Sequence, residues 1–267
     1  MKNLVDLNGA ILPIEQTNFG QLAPGYAFPR GLFETIRLID GRPAFLMAHW
    51  ERLAKSAAAL GLTFDSSADD LGKRILALAE AMGEPNGNVR LMLFDDDGCC
   101  VSQLMVVRPH PYTSAHYEMG FRLLSVLDER AIGAPAHKVT NYEKNRLARR
   151  HAQENGFDEA LFVGEAGQIF EGAATNLFLV KNGALWTTCL EDGILPGVAR
   201  RQVIERGGFP VEEKTLTREM IHEAEEVFVT NALVGVMPVS RVDELTFAIE
   251  DYKVVPQLAA AFRAWQR

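Results

Sequence analysis

The sequence predicts an α/β chain built of two α+β units, and three observations predict it. The hydrophobic period changes repeatedly between two and three or four, strands and helices interleave, and the pattern breaks once, over residues 127–137, before restarting. With 267 residues, 48% of them hydrophobic, the chain has apolar mass for one large core or two modest ones. No self-similarity at a fixed period suggests a repeat architecture.

Gly31 to Leu38 alternates and runs into Asp40-Gly41, which reads as a strand entering a hairpin turn. Leu46, Trp50, Leu53, Ala57 and Leu60 then recur at helical spacing up to Gly61, a C-terminal stop. Leu71, Ile75, Leu78 and Met82, followed by Gly83, predict a second helix. Strands follow at 89–94 and 102–107, then, beyond the turn-rich Arg108-Pro109-His110-Pro111, at 121–126. Residues 1–126 form the first unit on this reading. Residues 127–137, with Gly133 and Pro135, are the linker, and 138–267 the second unit. There the pattern gives a helix at 142–155 capped by Gly156, strands at 159–163, 176–180 and 184–188, a helix at 198–206, another from Thr217, and a strand at 226–230. Two such units leave a cleft, where small-molecule sites tend to form.

A net charge of −8 with no basic run interleaved with aromatics argues against nucleic acid as a partner. The N-terminus has no apolar signal region and no apolar segment approaches the roughly 20 residues that span a bilayer, so the expectation is a cytoplasmic protein with no membrane partner. Cys99, Cys100 and Cys189 are an odd number for a disulfide framework and read as thiols. No Cys/His cluster has zinc-ligand spacing, and Asp95-Asp96-Asp97-Gly98 lacks the later ligands of a calcium loop, so no metal is expected.

Phe170-Glu171-Gly172-Ala173-Ala174-Thr175-Asn176 places one acid and several small residues at the mouth of the apolar run Leu177 to Val180. A carboxylate there is positioned for chemistry more than for solvation. Lys138 stands where the linker meets a helix start, in Lys138-Val139-Thr140-Asn141-Tyr142; by itself it is the equal of Lys55, Lys73 or Lys144. Leu195-Pro196-Gly197-Val198-Ala199-Arg200 opens a helix, whose free N–H groups and positive dipole end bind anions without any side chain. Arg52, on the first helix in His49-Trp50-Glu51-Arg52-Leu53, carries a guanidinium fork suited to phosphate. Each has a plain structural reading as well: a strand-edge glutamate, a surface lysine or arginine, a core leucine.

These segments resemble the fold-type IV pyridoxal-phosphate enzymes, the class IV aminotransferases and their lyase relatives, over nearly the whole chain. The resemblance implies a smaller N-terminal domain, a larger C-terminal domain and pyridoxal 5'-phosphate in the cleft between them, in a homodimer acting on a small amino substrate. It makes Lys138 the Schiff-base lysine and Glu171 the partner of the cofactor's ring nitrogen. Leu195 packs on the ring, and Arg52, Gly197, Val198, Ala199, Thr230, Asn231 and Ala232 surround the phosphate. Two positions depart from the pattern: many relatives carry Thr where this chain has Ala199 and a hydroxyl residue where it has Ala232. Each lost hydroxyl costs roughly 1 kcal/mol of phosphate binding, for which backbone amides and Thr230 or Asn231 are expected to compensate.

Asn231-Ala232-Leu233-Val234-Gly235-Val236-Met237-Pro238-Val239 is most similar to aminodeoxychorismate lyases, which form 4-aminobenzoate and pyruvate for folate synthesis. Branched-chain aminotransferases carry Gly-Thr-Ala there and a tyrosine at the position of Phe28. D-Amino acid aminotransferases use an Arg-x-His pair, but Arg108-Pro109-His110 stands at a strand end and not in the family's usual loop. Arg30, Arg90 and Arg108 are open as contacts for the substrate carboxylate, and Phe28, Phe33 and Thr35 as pocket wall. Amino transfer by a D-amino acid or branched-chain enzyme is the alternative reading. A cofactor-free phosphate-binding protein, needing neither Lys138 nor Glu171, is a remote one.

Overall fold

The computed structural model describes residues 3–17, 31–95, 101–130, 132–133 and 136–267. They fall into two compact units, which divide after Pro111, with His137–Tyr142 and the last two residues belonging to the first.

The first unit contains strands β1 (Leu4–Leu7), β2 (Ala10–Pro13), β3 (Gly31–Ile39) and β4 (Arg42–Pro43), helices α1 (Leu46–Leu60) and α2 (Ala68–Met82), and strands β5 (Asn88–Asp95) and β6 (Val101–Arg108). They form a six-stranded antiparallel sheet in the order β2-β1-β6-β5-β3-β4. Asn8-Gly9, both at positive φ, closes the β1–β2 hairpin. Leu32, Ile36 and Leu38 of β3 and Val89, Leu91 and Leu93 of β5 share one face and pack with Leu53 and Ala57 of α1 and Leu71, Ile75 and Leu78 of α2. Each of these leucine, isoleucine and valine side chains contributes about 1.5–3 kcal/mol by leaving water. The stretch His137–Tyr142 docks on β3, where the Phe33 amide donates to Lys138 O and the Thr140 amide to Gly31 O, both at 2.9 Å. Gly31 has to be glycine, since a Cβ would stand 2.4 Å from Leu93 O and 3.1 Å from Thr140 Oγ1.

The second unit contains α3 (Ser114–Met119), β7 (Phe121–Leu127), α4 (Glu143–Glu154), β8 (Glu159–Val163), β9 (Gln168–Gly172), β10 (Asn176–Lys181), β11 (Ala184–Thr187), α5 (Val198–Arg206), β12 (Val211–Glu213), β13 (Leu216–Thr217), α6 (Arg218–Glu223), β14 (Glu226–Asn231), β15 (Gly235–Val242), β16 (Leu245–Thr246) and α7 (Val254–Trp265). Ten strands make its sheet, ordered β12-β11-β10-β14-β15-β7-β8-β9-β13, with β16 paired to β15. Strands β8 and β10 and most of β14 are buried on both faces. Along β8, Leu161 and Val163 join one cluster while Ala160 and Phe162 meet Ala148 and Ala152 of α4.

Two expectations change here. The sequence alone puts the strand at 121–126 in the first unit, with the division at 126/127. That strand instead runs parallel between β15 and β8, and Phe121 and Leu123 are buried with Leu161 and Val239, so it belongs to the second. Glu171 does not open the strand at 176–180 but lies within an earlier one, β9, which returns on β8 through the turn Gly164–Gly167. Among the described residues no helix is long and apolar enough to cross a membrane.

Candidate active site

In the first unit the site begins with a charge on an apolar face. Glu34 alternates in phase with Leu32, Ile36 and Leu38, so it points with them toward α1 and is 1% exposed. His49 and Arg52, one helical turn apart on α1, meet it there. Arg52 donates through Nε to Oε1 at 2.8 Å and through Nη2 to Oε2 at 2.6 Å, and His49 Nδ1 lies 2.7 Å from Oε2. Burial would raise the Glu34 carboxyl, but the charge of Arg52 and the bonds from His49 and Arg52 outweigh it and hold the group at about 2. An ionised carboxylate only accepts, so Nδ1 of His49 carries the proton. Burial keeps the imidazole below its usual range against the pull of Glu34, which leaves it neutral.

The opposite face of the same strands carries Phe33, Thr35 and Arg90, Thr35 lying directly across from Arg90. The Lys138 ammonium sits 4.4 Å above the Phe33 ring and 5.1 Å from that of Tyr142, which meets Phe33 edge-on at 5.4 Å. Arg90 lies over Phe33 at 4.1 Å, and its buried Nε has no hydrogen-bond partner among the described residues. Burial and the neighbouring charge of Arg108, diagonal to it on β6, both lower the Arg90 pKa, and among the described residues no carboxylate acts on it. Such cations suit an anionic ligand.

In the second unit Glu171 is buried on β9. Its Oε2 accepts from the Leu195 amide at 3.0 Å and from Asn176 Nδ2 at 3.4 Å, and its Oε1 from Arg130 Nη1 at 2.8 Å. The Asn176 amide also donates to Leu195 O at 3.0 Å. Leu195 is thus fixed by its own backbone just before α5. Gly197 caps α5 with no side-chain bond to the helix, the first turn holds no acid, and Val198 and Ala199 are buried. A Cβ on Gly197 would stand 2.0 Å from Asn176 Oδ1, so only glycine allows this approach. Thr230, across from Asn176 on the neighbouring strand, has a buried hydroxyl without a partner among the described residues. An uncapped, buried helix N-terminus beside an unsatisfied hydroxyl suits a phosphate.

The structure therefore brings the expected residues together in two groups. Arg52, Lys138, Phe33, Thr35, Arg90 and Arg108 lie in the first unit. Glu171, Leu195, Gly197, Val198, Ala199, Thr230, Asn231 and Ala232 lie in the second, while Phe28 and Arg30 fall outside the described residues. Asn231 is committed elsewhere: its Oδ1 accepts from the amides of Leu233 and Val234, both at 2.8 Å, and its Nδ2 donates to Ala174 O. Of the two residues expected to compensate for the missing hydroxyls, Thr230 is the one with capacity to do so. Glu34, His49 and Arg130 escape the sequence reading. Glu34 did carry a signal, a charge in phase with the buried face of its strand.

Residues 31–242 match the amino-transferase class IV family. A D-alanine aminotransferase of Listeria monocytogenes is 28% identical, over 92% of this chain and 87% of its own. The aminodeoxychorismate lyase of Bacillus subtilis is 24% identical, over 97% and 94%. The structure of a branched-chain aminotransferase from Thermoproteus uzoniensis superposes with a TM-score of 0.82 at 27% identity, covering 97% of this chain and 93% of that one. The chain is a fold-type IV enzyme that belongs to the class IV aminotransferase family, whose cofactor is pyridoxal phosphate.

Proposed function

We propose that the enzyme acts at the Cα of an amino-acid-like substrate, and that it is a 4-amino-4-deoxychorismate lyase releasing 4-aminobenzoate and pyruvate in folate synthesis. The segment Asn231 to Val239 carries this reading. It resembles the lyases in sequence, and its Asn231 closes the turn that starts β15 beside Thr230. The Bacillus subtilis relative supports it.

When bound, pyridoxal phosphate supplies an electron sink for the charge left at Cα once its proton is removed. Lys138 would hold the cofactor and take the proton from Cα; its amine is kept over the Phe33 and Tyr142 rings. Glu171 keeps a proton on the ring nitrogen. Leu195 packs on the ring, and Arg52, the amides of Val198 and Ala199 and the Thr230 hydroxyl take the phosphate. Arg90 and Arg108 meet the substrate carboxylate, with Thr35, Phe33 and the expected Phe28 and Arg30 as further pocket. The enzyme is read as a cytoplasmic homodimer.

Amino transfer is the second reading, favoured by the Listeria and Thermoproteus relatives, which are both more similar than the lyase. The two separate by what leaves. With aminodeoxychorismate the lyase releases pyruvate and 4-aminobenzoate while the cofactor stays in its aldehyde form. With alanine, glutamate or branched-chain amino acids of either hand it transaminates slowly at most. Efficient multiple-turnover amino transfer without 4-aminobenzoate would replace the lyase reading by the aminotransferase one.

A further inference from the structure

Glu171 is one end of a row of alternating charges inside the second unit. Beyond its bond from Arg130 Nη1, the other edge of that guanidinium reaches Asp128 Oδ2, Nε at 2.8 Å and Nη2 at 2.6 Å, and Lys144 pairs with Asp128 Oδ1. The Asp128 side chain is fully buried and that of Arg130 is 13% exposed, whereas that of Lys144 is 56% exposed. The guanidinium lies against the rings of Phe170 and Phe162, with centroids at 4.8 and 5.3 Å, and Nη1 also donates to Gly193 O.

The count of charges decides what this row does. A guanidinium facing one carboxylate would neutralise it and give a nearby base no reason to keep a proton. Here it serves two, so the buried trio of Glu171, Arg130 and Asp128 carries one net negative charge. Lys144 approaches from solvent, where water and salt screen it. A buried net charge among aromatic rings is costly unless a cation binds against it. A protonated pyridine nitrogen is such a cation.

We propose that Arg130 is a positioning residue that aims Glu171, and that Asp128, by occupying the other edge of the guanidinium, leaves Glu171 the charge that keeps the cofactor's ring nitrogen protonated. The proposal rests on the reading of Glu171 as the partner of that nitrogen. The hydrogen bonds fit it. Arg130 Nη1, Asn176 Nδ2 and the Leu195 amide all donate to Glu171, which favours the carboxylate form, and they hold both of its oxygens in place.

Holoenzyme reconstituted with pyridoxal phosphate carrying 15N in its ring reports protonation through the nitrogen's chemical shift. In the wild type the resonance lies at the pyridinium position. Asp128→Asn keeps an acceptor for Arg130 but removes the charge, and moves the resonance toward neutral pyridine, while Asp128→Glu restores it. Arg130→Gln leaves the nitrogen protonated but weakens pyridoxal phosphate binding at least about tenfold, through loss of a charged hydrogen bond that fixes Glu171. A wild-type shift in Asp128→Asn overturns the proposal, and so does wild-type cofactor affinity in Arg130→Gln, which decides alone if Asp128→Asn does not fold. A neutral ring nitrogen in the wild type, or an unchanged pyridinium resonance in Glu171→Gln, instead overturns the assignment of Glu171 and the proposal with it.

Discussion

Arg52 is gripped by Glu34 through two parallel hydrogen bonds, Nε to Oε1 at 2.8 Å and Nη2 to Oε2 at 2.6 Å, with the acid buried among leucines. The cation assigned to the phosphate is thus aimed by a carboxylate that the substrate never meets. Lysine in place of Arg52 cannot form the fork, so Arg52→Lys raises the dissociation constant of pyridoxal phosphate at least about tenfold. Glu34→Gln, which strands Arg52 and His49 beside a neutral amide, both loosens the cofactor and destabilises the fold by about 3–5 kcal/mol. Equilibrium titration with the cofactor and urea unfolding measure the two effects. Unchanged cofactor affinity in Arg52→Ala removes Arg52 from the site.

Lys138 is held by backbone bonds on both sides, Phe33 N to its own carbonyl and Thr140 N to Gly31 O. A lysine fixed in this way should be the single point of covalent attachment. The purified protein is expected to be yellow, and borohydride to fix the cofactor to one peptide, the one containing Lys138. Label recovered on another lysine would refute the assignment.

Much of this was legible in the sequence, for reasons that differ between elements. Helices α1, α2 and α5 stood out because their apolar stripes end at glycines or begin at an uncapped turn. β9 was hidden because Gln168 to Gly172 is short and ends in a charge, so periodicity could not separate it from the run that follows. Helix α7 carries an apolar stripe of Val255, Leu258 and Phe262 and lies outside the elements expected from the sequence. Lys138, Glu171 and Arg52 stand out in the sequence as individual candidates. Their partners do not, because Glu34 with His49, and Arg130 with Glu171, meet only when separate segments pack, and nothing in the linear spacing announces such pairs.

Gly197 should be intolerant of even one methyl group. Alanine there would put Cβ 2.0 Å from Asn176 Oδ1 and 3.3 Å from Arg200 Cβ. Asn176 cannot retreat without giving up its bonds to Leu195 O and Glu171. Gly197→Ala is therefore expected to cost about 1–3 kcal/mol of stability and to weaken pyridoxal phosphate more than that loss alone implies. Cofactor affinity equal to the wild type would show that this turn does not form the phosphate site.

Arg90 combines a buried Nε that has no hydrogen-bond partner among the described residues with a second arginine beside it. A substrate carboxylate is the expected counter-charge. Arg90→Met should raise KM at least about tenfold, the loss of one charged hydrogen bond, while leaving the affinity for pyridoxal phosphate unchanged. If KM stays the same and cofactor affinity falls, Arg90 belongs to the cofactor's site and not to the substrate's.

Glu159, 1% exposed at the start of β8, should make stability depend on pH in a window separate from that of Glu34. Burial raises its carboxyl to about 7, against the opposing pull of the Arg149 charge and of bonds from the amides of Ala160, Ala174 and Ala173. The folded state thus binds this proton more tightly than the unfolded chain does, at 4.5. Its contribution to stability is complete below about pH 4.5 and is lost as pH rises through about 7. Glu34, held at about 2, has the opposite sign, contributing above pH 4.5 and failing only as pH falls toward 2. Glu159→Gln keeps the shape with no proton to lose. Relative to the wild type it should gain stability between pH 5 and pH 8, by an amount on the order of 3 kcal/mol at most. Urea unfolding of both proteins at pH 5 and pH 8 tests this, and a constant difference between them at the two pH values would show that Glu159 does not titrate there.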